Sequence, residues 1–464
     1  MHPRRVIITI AAIIAVLSIN SRNISGSWNG VLKVTPQVQL KIAIHLTEDN
    51  DGKATATLDS PDQSAYGIPC DINFLSNDSI CFSIPKLNAS YSGRSENGKL
   101  IGKFRQGFIT SNLDLSPGEI TVNRPQTPKP PFPYTTEEIK FKNGNDSTIL
   151  AGTLTLPSGA TTNTPIAVMV TGSGLQNRDE ELFGHKPFAV IADYLARNGI
   201  GTLRYDDRGF GESTGDASTA TIADFAGDAK AAVEFLRNSS FNNIGILGHS
   251  EGAMIAFMLA GKELPKAKKN EVIVYPGRPD FVVALGAPAL RGDSILMDQS
   301  ALQLRRTGIP EKVIEDYSTA LLGMYEHFDN TDRDKTYAAI DTLCSGWPVN
   351  PIYTQLKANL QLIAKSSSPY LEYFVKYSPA KVISATKCPM FILYGEKDIQ
   401  VRPELNMPIM ESLAPEAEIK LYPGLNHLFQ HAATGNVSEY SSIEETISPE
   451  VLQDISSFIK SIIN

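Results

Sequence analysis

The chain has 464 residues, 42% hydrophobic and 20% charged, a balance that allows large cores and excludes a mainly disordered chain. Its formal net charge of −8 argues against binding a nucleic-acid backbone by bulk electrostatics. Four cysteines without CxxC or CxxH spacing exclude a disulfide scaffold and give no zinc signature, so no metal and no cofactor is expected.

The N-terminus reads as an export segment. Arg4 and Arg5 form a basic head, followed by the uncharged run from Val6 to Ile19. That run suits the apolar core of a signal peptide and is shorter than the ~20 residues of a membrane span. Residues 1–21 are therefore expected to be removed on export to a periplasmic or secreted location. No stable membrane span is expected in the mature chain.

From Trp28 to about Ile120 the chain reads as short strands. LKVTPQVQLKIAIHL, KATATLD, SICFSI, KLIGKF and FITSNLDL alternate or are β-branched, with Asn, Asp and Gly clusters between them. This pattern predicts a small antiparallel barrel or sandwich over residues 22–123. Prolines 125, 128, 130, 131 and 133 then mark residues 124–134 as an extended, semi-rigid spacer.

From Thr135 the rhythm changes to buried strands alternating with amphipathic helices. The strands are IAVMV (166–170), GTLRY (201–205), NIGIL (243–247), FVVAL (281–285), MFILY (390–394) and EIKLY (418–422). Ile222, Phe225, Ala229, Ala232, Val233 and Leu236 share one face of a helix. Ser448-Pro449 starts a last helix with an N-cap and N1 pair. Such alternation predicts a mostly parallel sheet covered by helices on both faces. Residues of about 290–380 interrupt it with helical sequence and read as a cap insertion.

Two segments match G-x-S-x-G, and context separates them. Ser250, in Gly248-His249-Ser250-Glu251-Gly252, directly follows a buried strand and opens the helix AMIAFMLAG. That is the strand–turn–helix a nucleophile elbow requires. Ser213, in Gly211-Glu212-Ser213-Thr214-Gly215, lies in a polar, glycine-rich loop and reads as a loop serine.

A serine hydroxyl needs a base, and the base an orienting carboxylate. His427 and Asp398 each follow a predicted strand, and open α/β sheets gather their sites at such strand ends. Glu396 and His431 are the weaker alternatives for the acid and the base, and His249 reads as a packing or loop-bonding residue. His185 and His327 remain candidates for the mouth of the site. The oxyanion donors are assigned to the backbone N–H groups of Glu251 and of Ser173, in the loop Thr171–Leu175. Arg178, Asp179, Asp206, Asp207 and Arg208 read as ion-paired scaffolding.

Residues 135–464 resemble the α/β-hydrolase superfamily. The matching pieces, in order, are the GSG loop, YDDRGFGES, GHSEG, GEKD and GLNH. The whole chain is similar to exported bacterial carboxylesterases with an N-terminal β-domain, through Trp28-Asn29-Gly30, TLDSPDQ (57–63) and GSGLQNRD (172–179). The resemblance implies an eight-stranded, mostly parallel sheet and a serine esterase that forms an acyl-enzyme on Ser250. The expected partner is a small-molecule ester with a short or medium acyl group. The usual histidine at the start of the oxyanion loop is replaced here by Thr171. A peptidase or amidase on the same Ser250–Asp398–His427 set is the alternative reading. Among the cap aromatics, Tyr317, Tyr325, Phe328, Trp347, Tyr370 and Phe374 are candidates for pocket lining or for packing, with packing expected for most.

Overall fold

A computed structural model of the chain describes residues 24–463 except 35–38, 49–52, 62–64, 108, 121–122 and 262–276. The expected signal peptide, 1–21, lies outside the described residues. The chain divides into two compact units between Thr121 and Val122.

The first unit is an antiparallel meander. Its strands are β1 (Gly26–Lys33), β2 (Gln39–Glu48), β3 (Ala54–Ser60), β4 (Ala65–Leu75), β5 (Ser79–Ile84), β6 (Ala89–Glu96), β7 (Lys99–Gln106), β8 (Ile109–Asn112) and β9 (Ser116–Pro117). Each of β1 to β8 pairs with its neighbour in sequence, while β9 returns to pair with β1. The segment from β8 to β9 touches both edges, since Lys103 faces Asn112 on one side and Trp28 faces Pro117 on the other. This segment thus bridges β7 and β1 at one end of the sheet, giving an antiparallel half-barrel. Trp28, Ile44, Leu58, Phe82, Tyr91, Leu100 and Leu115 fill its interior. The alternation in β5, with Ile80, Phe82 and Ile84 inward, is what one buried face demands. Strands β4 and β6 were not legible in the sequence. In β4 Gly67 and Pro69 break the pattern and Cys70 alone is buried, while β6 buries only Ala89 and Tyr91.

The second unit is built on an eight-stranded sheet. Its strands are β10 (Thr135–Lys142), β11 (Ile149–Leu156), β12 (Ile166–Val170), β13 (Gly201–Tyr205), β14 (Ile244–His249), β15 (Val282–Leu285), β16 (Met390–Gly395) and β17 (Glu418–Tyr422). The spatial order is β10-β11-β13-β12-β14-β15-β16-β17. The first pair and the β11–β13 pair are antiparallel, and all later neighbours are parallel.

The helices are α1 (Pro187–Arg197), α2 (Ile222–Asn238), α3 (Glu251–Ala260), α4 (Gly292–Arg306), α5 (Glu311–Glu326), α6 (Arg333–Leu343), α7 (Pro351–Lys365), α8 (Pro369–Lys376), α9 (Ala380–Ala385), α10 (Pro403–Leu413) and α11 (Pro449–Ser461). Successive strand residues feed two cores. Val168, Val170, Ile246, Ala284 and Ile392 pack with α2, α3 and the cap helices. Ala167, Met169, Leu247, Val283 and Phe391 pack with α1 and α11. Both sheet faces are covered, which is why these strands read as continuous apolar runs. Helices α4 to α9 are inserted between β15 and β16, in the place expected for the cap. The α11 apolar face forms as the spacing predicts, although the Ser448 side chain makes no capping hydrogen bond.

The proline-rich segment is a strap and not a free spacer. Arg124 donates to the carbonyls of Phe183, Ser441 and Ile443 at 2.8, 3.1 and 2.7 Å. Gln126 donates to Ile447 O at 2.8 Å, and the Tyr134 hydroxyl donates to Asp193 at 2.7 Å. An extended chain leaves its long polar side chains unpaired, and here they satisfy carbonyls of the second unit.

Candidate active site

Ser250 stands at the tip of the turn between β14 and α3, with φ 54° and ψ −115°. A non-glycine residue in that region costs about 1–3 kcal/mol and persists only where the surroundings enforce it. Here the flanking glycines do so. A Cβ on Gly248 would lie 2.2 Å from Gly252 O, and one on Gly252 would lie 2.1 Å from Val170 O. The turn is too tight, and too close to β12, for any side chain at either position. Ser250 is thus lifted above the C-terminal edge of the sheet, where the first turn of α3 leaves its N–H groups without helical partners.

His427 and Asp398 are brought together from two neighbouring strand ends. The His427 Nδ1 lies 2.6 Å from Asp398 Oδ2, and both side chains are buried. The other Asp398 oxygen accepts the N–H groups of Gln400 and Val401 at 2.8 and 2.9 Å. The carboxylate is fixed by three donors, and Asp398 Oδ2 bonds Nδ1 of His427, leaving its Nε2 for other work. His427 also reaches the elbow: its ring centroid is 4.6 Å from that of His249, the residue before Ser250.

The loop after β12 lies across the elbow. The Gly172 N–H donates to Glu180 Oε1 at 2.8 Å, so it is already engaged. Ser173 is the next residue along, and its hydroxyl reaches Glu251 Oε2 at 3.4 Å. Thr171, which stands where a histidine is usual, donates through Oγ1 to Asp207 at 3.0 Å. Glu180 and His249 close this arrangement from below. His249 Nδ1 lies 2.8 Å from Glu180 Oε1, and its Nε2 lies 3.0 Å from the carbonyl oxygen of His427.

Several weaker candidates have structural employment. Ser213 is buried; its oxygen accepts from Ala151 N–H at 2.9 Å and its hydroxyl donates to Asp206 O at 2.7 Å. His431 is exposed and bonds Glu445, and Glu396 accepts the Gly424 N–H. His185 is not at the mouth. It is completely buried between Thr446 Oγ1 and Tyr440 O, and burial pulls its pKa down to about 4. His327 ends α5 and bonds Gly323 O.

The ionic scaffold forms largely as read. Arg178 grips Asp206 through two nitrogens at 3.1 and 2.8 Å, Arg204 pairs with Asp179, and Arg208 grips Asp228 at 2.6 and 2.7 Å. Asp207 is the exception. It has hydrogen bonds from Thr171 Oγ1 and Gln176 N–H in place of a cation, and burial pushes its pKa up to about 8.

A cavity of about 220 Å3 opens beside the elbow. Tyr205, Phe225, Ile255 and Tyr370 line it, together with the carboxyls of Asp207 and Glu251. Burial raises Glu251 to about 7 against the hydrogen bonds from Tyr370 and Ser173. Tyr370 and Ser368 line the cavity from the cap, and the Tyr370 hydroxyl bonds Glu251 Oε2. Tyr317, Tyr325 and Phe328 pack the cap core, and Trp347 packs on Tyr353 with ring centroids 5.2 Å apart.

Comparison with known proteins places this geometry. Residues 186–335 match the family described as serine aminopeptidase, S33. The chain is 26% identical over 283 residues to esterase EstD of Thermotoga maritima, a match covering 60% of this chain and 58% of that protein. It therefore spans less than two thirds of that relative. Among solved structures it is similar to an esterase of Pyrococcus furiosus, at 15% identity and TM-score 0.41, covering 75% of this chain and 100% of that one. It is also similar to the ferulic acid-bound Est1E of Butyrivibrio proteoclasticus, at 16% identity and TM-score 0.42, covering 70% and 99%. The strand order and the elbow turn give the second unit the α/β-hydrolase fold.

Two features of this site were not legible in the sequence. Glu180 carried no signal beyond its place next to GSGLQNRD, and the Tyr370 contact with Glu251 joins residues 119 positions apart. The four cysteines are free, with Cys81 opposite Phe74 and out of register with Cys70.

Proposed function

We propose that the chain is an exported serine hydrolase that cleaves carboxylic esters of short or medium acyl groups. The observation that carries this reading is the His427–Asp398 hydrogen bond of 2.6 Å, set beside a strained elbow serine. In this reading Ser250 Oγ attacks the ester carbonyl and His427 Nε2 takes its proton. Asp398 holds Nδ1–H and stabilises the imidazolium that forms. The negative charge on the carbonyl oxygen falls to the N–H groups of Glu251 and Ser173. The first is a free donor of α3's opening turn, and the second follows a Gly172 N–H already committed to Glu180. Each such donor is worth about 3–4 kcal/mol in the transition state. The proton on His427 passes to the leaving alcohol, which departs and leaves an acyl-enzyme on Ser250. Water, deprotonated by His427, then cleaves the acyl-enzyme. The small, mostly apolar cavity suits a short acyl or alcohol group.

The esterase name of the Thermotoga maritima relative supports the ester reading. The serine aminopeptidase description of the matched family favours a second reading, peptide or amide cleavage by the same three residues. Parallel assays on p-nitrophenyl esters and aminoacyl-p-nitroanilides separate the two. Ester turnover abolished by Ser250→Ala supports the proposal. Unchanged turnover in that variant refutes it, and turnover of anilides alone favours the peptidase.

A further inference from the structure

We propose that His249 is held as an imidazolium by Glu180 and serves as a positioning residue that ties the oxyanion loop to the loop of His427. The inference rests on the hydrolase reading for its effect on turnover, but not for the protonation state itself.

The geometry sets the protonation. Both ring nitrogens of His249 face acceptors, the Glu180 carboxylate at 2.8 Å and the His427 carbonyl at 3.0 Å. A neutral imidazole carries one N–H and satisfies only one of them; the imidazolium satisfies both. His249 and Glu180 are nearly inaccessible, so a lost bond would leave a buried polar atom unpaired. Desolvation, the largest single influence, works against the charge, but the charge and hydrogen bond of Glu180, the His427 carbonyl and Asp398 together outweigh it and hold the His249 pKa above its ordinary value. The groups facing His249 are Glu180 from the loop after β12, His427 from the loop after β17 and Asp398 from the loop after β16. Both carboxylates favour the charged ring.

The connections make the pair a brace. Glu180 Oε1 receives the Gly172 N–H as well as the His249 ring. A continuous chain of bonds therefore runs from Gly172, through Glu180 and His249, to the backbone of His427. It runs through His249, the residue immediately before Ser250. Glu180 adopts φ 52°, a left-handed conformation costly for this residue type and kept only where the surrounding structure enforces it. None of these groups has to touch substrate. Their effect is to hold the oxyanion donors and the base at the spacing the reaction needs, and errors of about 1 Å there cost up to about 10²-fold in rate.

Neutron diffraction of the wild-type protein at pH 7 reads the protonation directly. Deuterium on both His249 ring nitrogens is the expected result, and a single deuteron overturns the proposal. Glu180→Gln keeps an acceptor for Gly172 and removes the charge. Its kcat is expected to fall about tenfold to 10²-fold above neutral pH, with KM within about twofold and a new alkaline limb at lower pH than in the wild type. A kcat–pH profile unmoved by Glu180→Gln also overturns it. Should the variant not fold, the wild-type neutron map still decides. Should the wild type cleave no ester or anilide, the functional reading fails while the His249 result stands.

Discussion

Replacing Asp398 by Asn is the sharpest test of the assigned chemistry, because the change is nearly isosteric and its consequence lies in one proton. Asp398 Oδ1 accepts from Gln400 and Val401 N–H at 2.8 and 2.9 Å, and the Asn oxygen can keep both bonds. The amide nitrogen then takes the place of Oδ2, 2.6 Å from His427 Nδ1. An NH2 group donates, so His427 Nδ1 must become an acceptor and its proton moves to Nε2. In the proposed mechanism the imidazole then carries N–H at the nitrogen that has to accept the serine proton. Loss of the correct tautomer costs about 10⁴-fold in kcat. That corresponds to about 5.4 kcal/mol of transition-state stabilisation. The fold should survive, because two of the three bonds to the side chain are kept. The assay is p-nitrophenyl butyrate turnover with a thermal melt as control. A folded Asp398→Asn protein within tenfold of wild-type kcat would refute the assignment.

Ser213→Ala removes the other G-x-S-x-G serine and two buried hydrogen bonds; a loss of about 1–3 kcal/mol in denaturant unfolding, with kcat retained, is expected. Gly252→Ala drives a Cβ into Val170 O and Thr171 O, at 2.1 and 2.6 Å, so the end of β12 and the loop after it must move. It should lower kcat at least tenfold while the sheet still folds, read by turnover and circular dichroism. Asp228→Ala leaves Arg208 buried without its main partner and should cost about 3–5 kcal/mol of stability by denaturant unfolding. Asp207 has a folded pKa raised to about 8, well above its unfolded value of about 3.9. Between those values the folded state binds more protons, so stability should fall as pH rises through this window. Asp207→Asn should flatten that slope in melts between pH 5 and 8.

Much of the architecture was readable because its signals are local. Six strands of the second unit lie within one residue of IAVMV, GTLRY, NIGIL, FVVAL, MFILY and EIKLY at their N-terminal ends; the first five are buried throughout and so read as mainly apolar runs, while EIKLY forms the sheet edge. The elbow was readable for the same reason: a turn that tolerates no Cβ at Gly248 or Gly252 writes its constraint into adjacent residues. Strands β4 and β6 escaped notice because a barrel strand with few inward apolar residues shows little alternation.

The partners of polar side chains belonged to the tertiary structure alone. The sequence placed Asp398 and His427 at separate strand ends, and only the β16–β17 pairing brings them within a hydrogen bond. The prolines at 125–133 signalled an extended chain, but Arg124 and Gln126 decided that it is strapped down. His249 was legible as a loop-bonding residue and nothing more. Its two acceptors come from positions 69 and 178 residues away, and no local pattern records that convergence. The opening figures for length and charge bounded the fold class, because burying apolar surface depends mainly on composition and period. The protonation of a buried ring depends on which two atoms face it, and only the packed chain sets that.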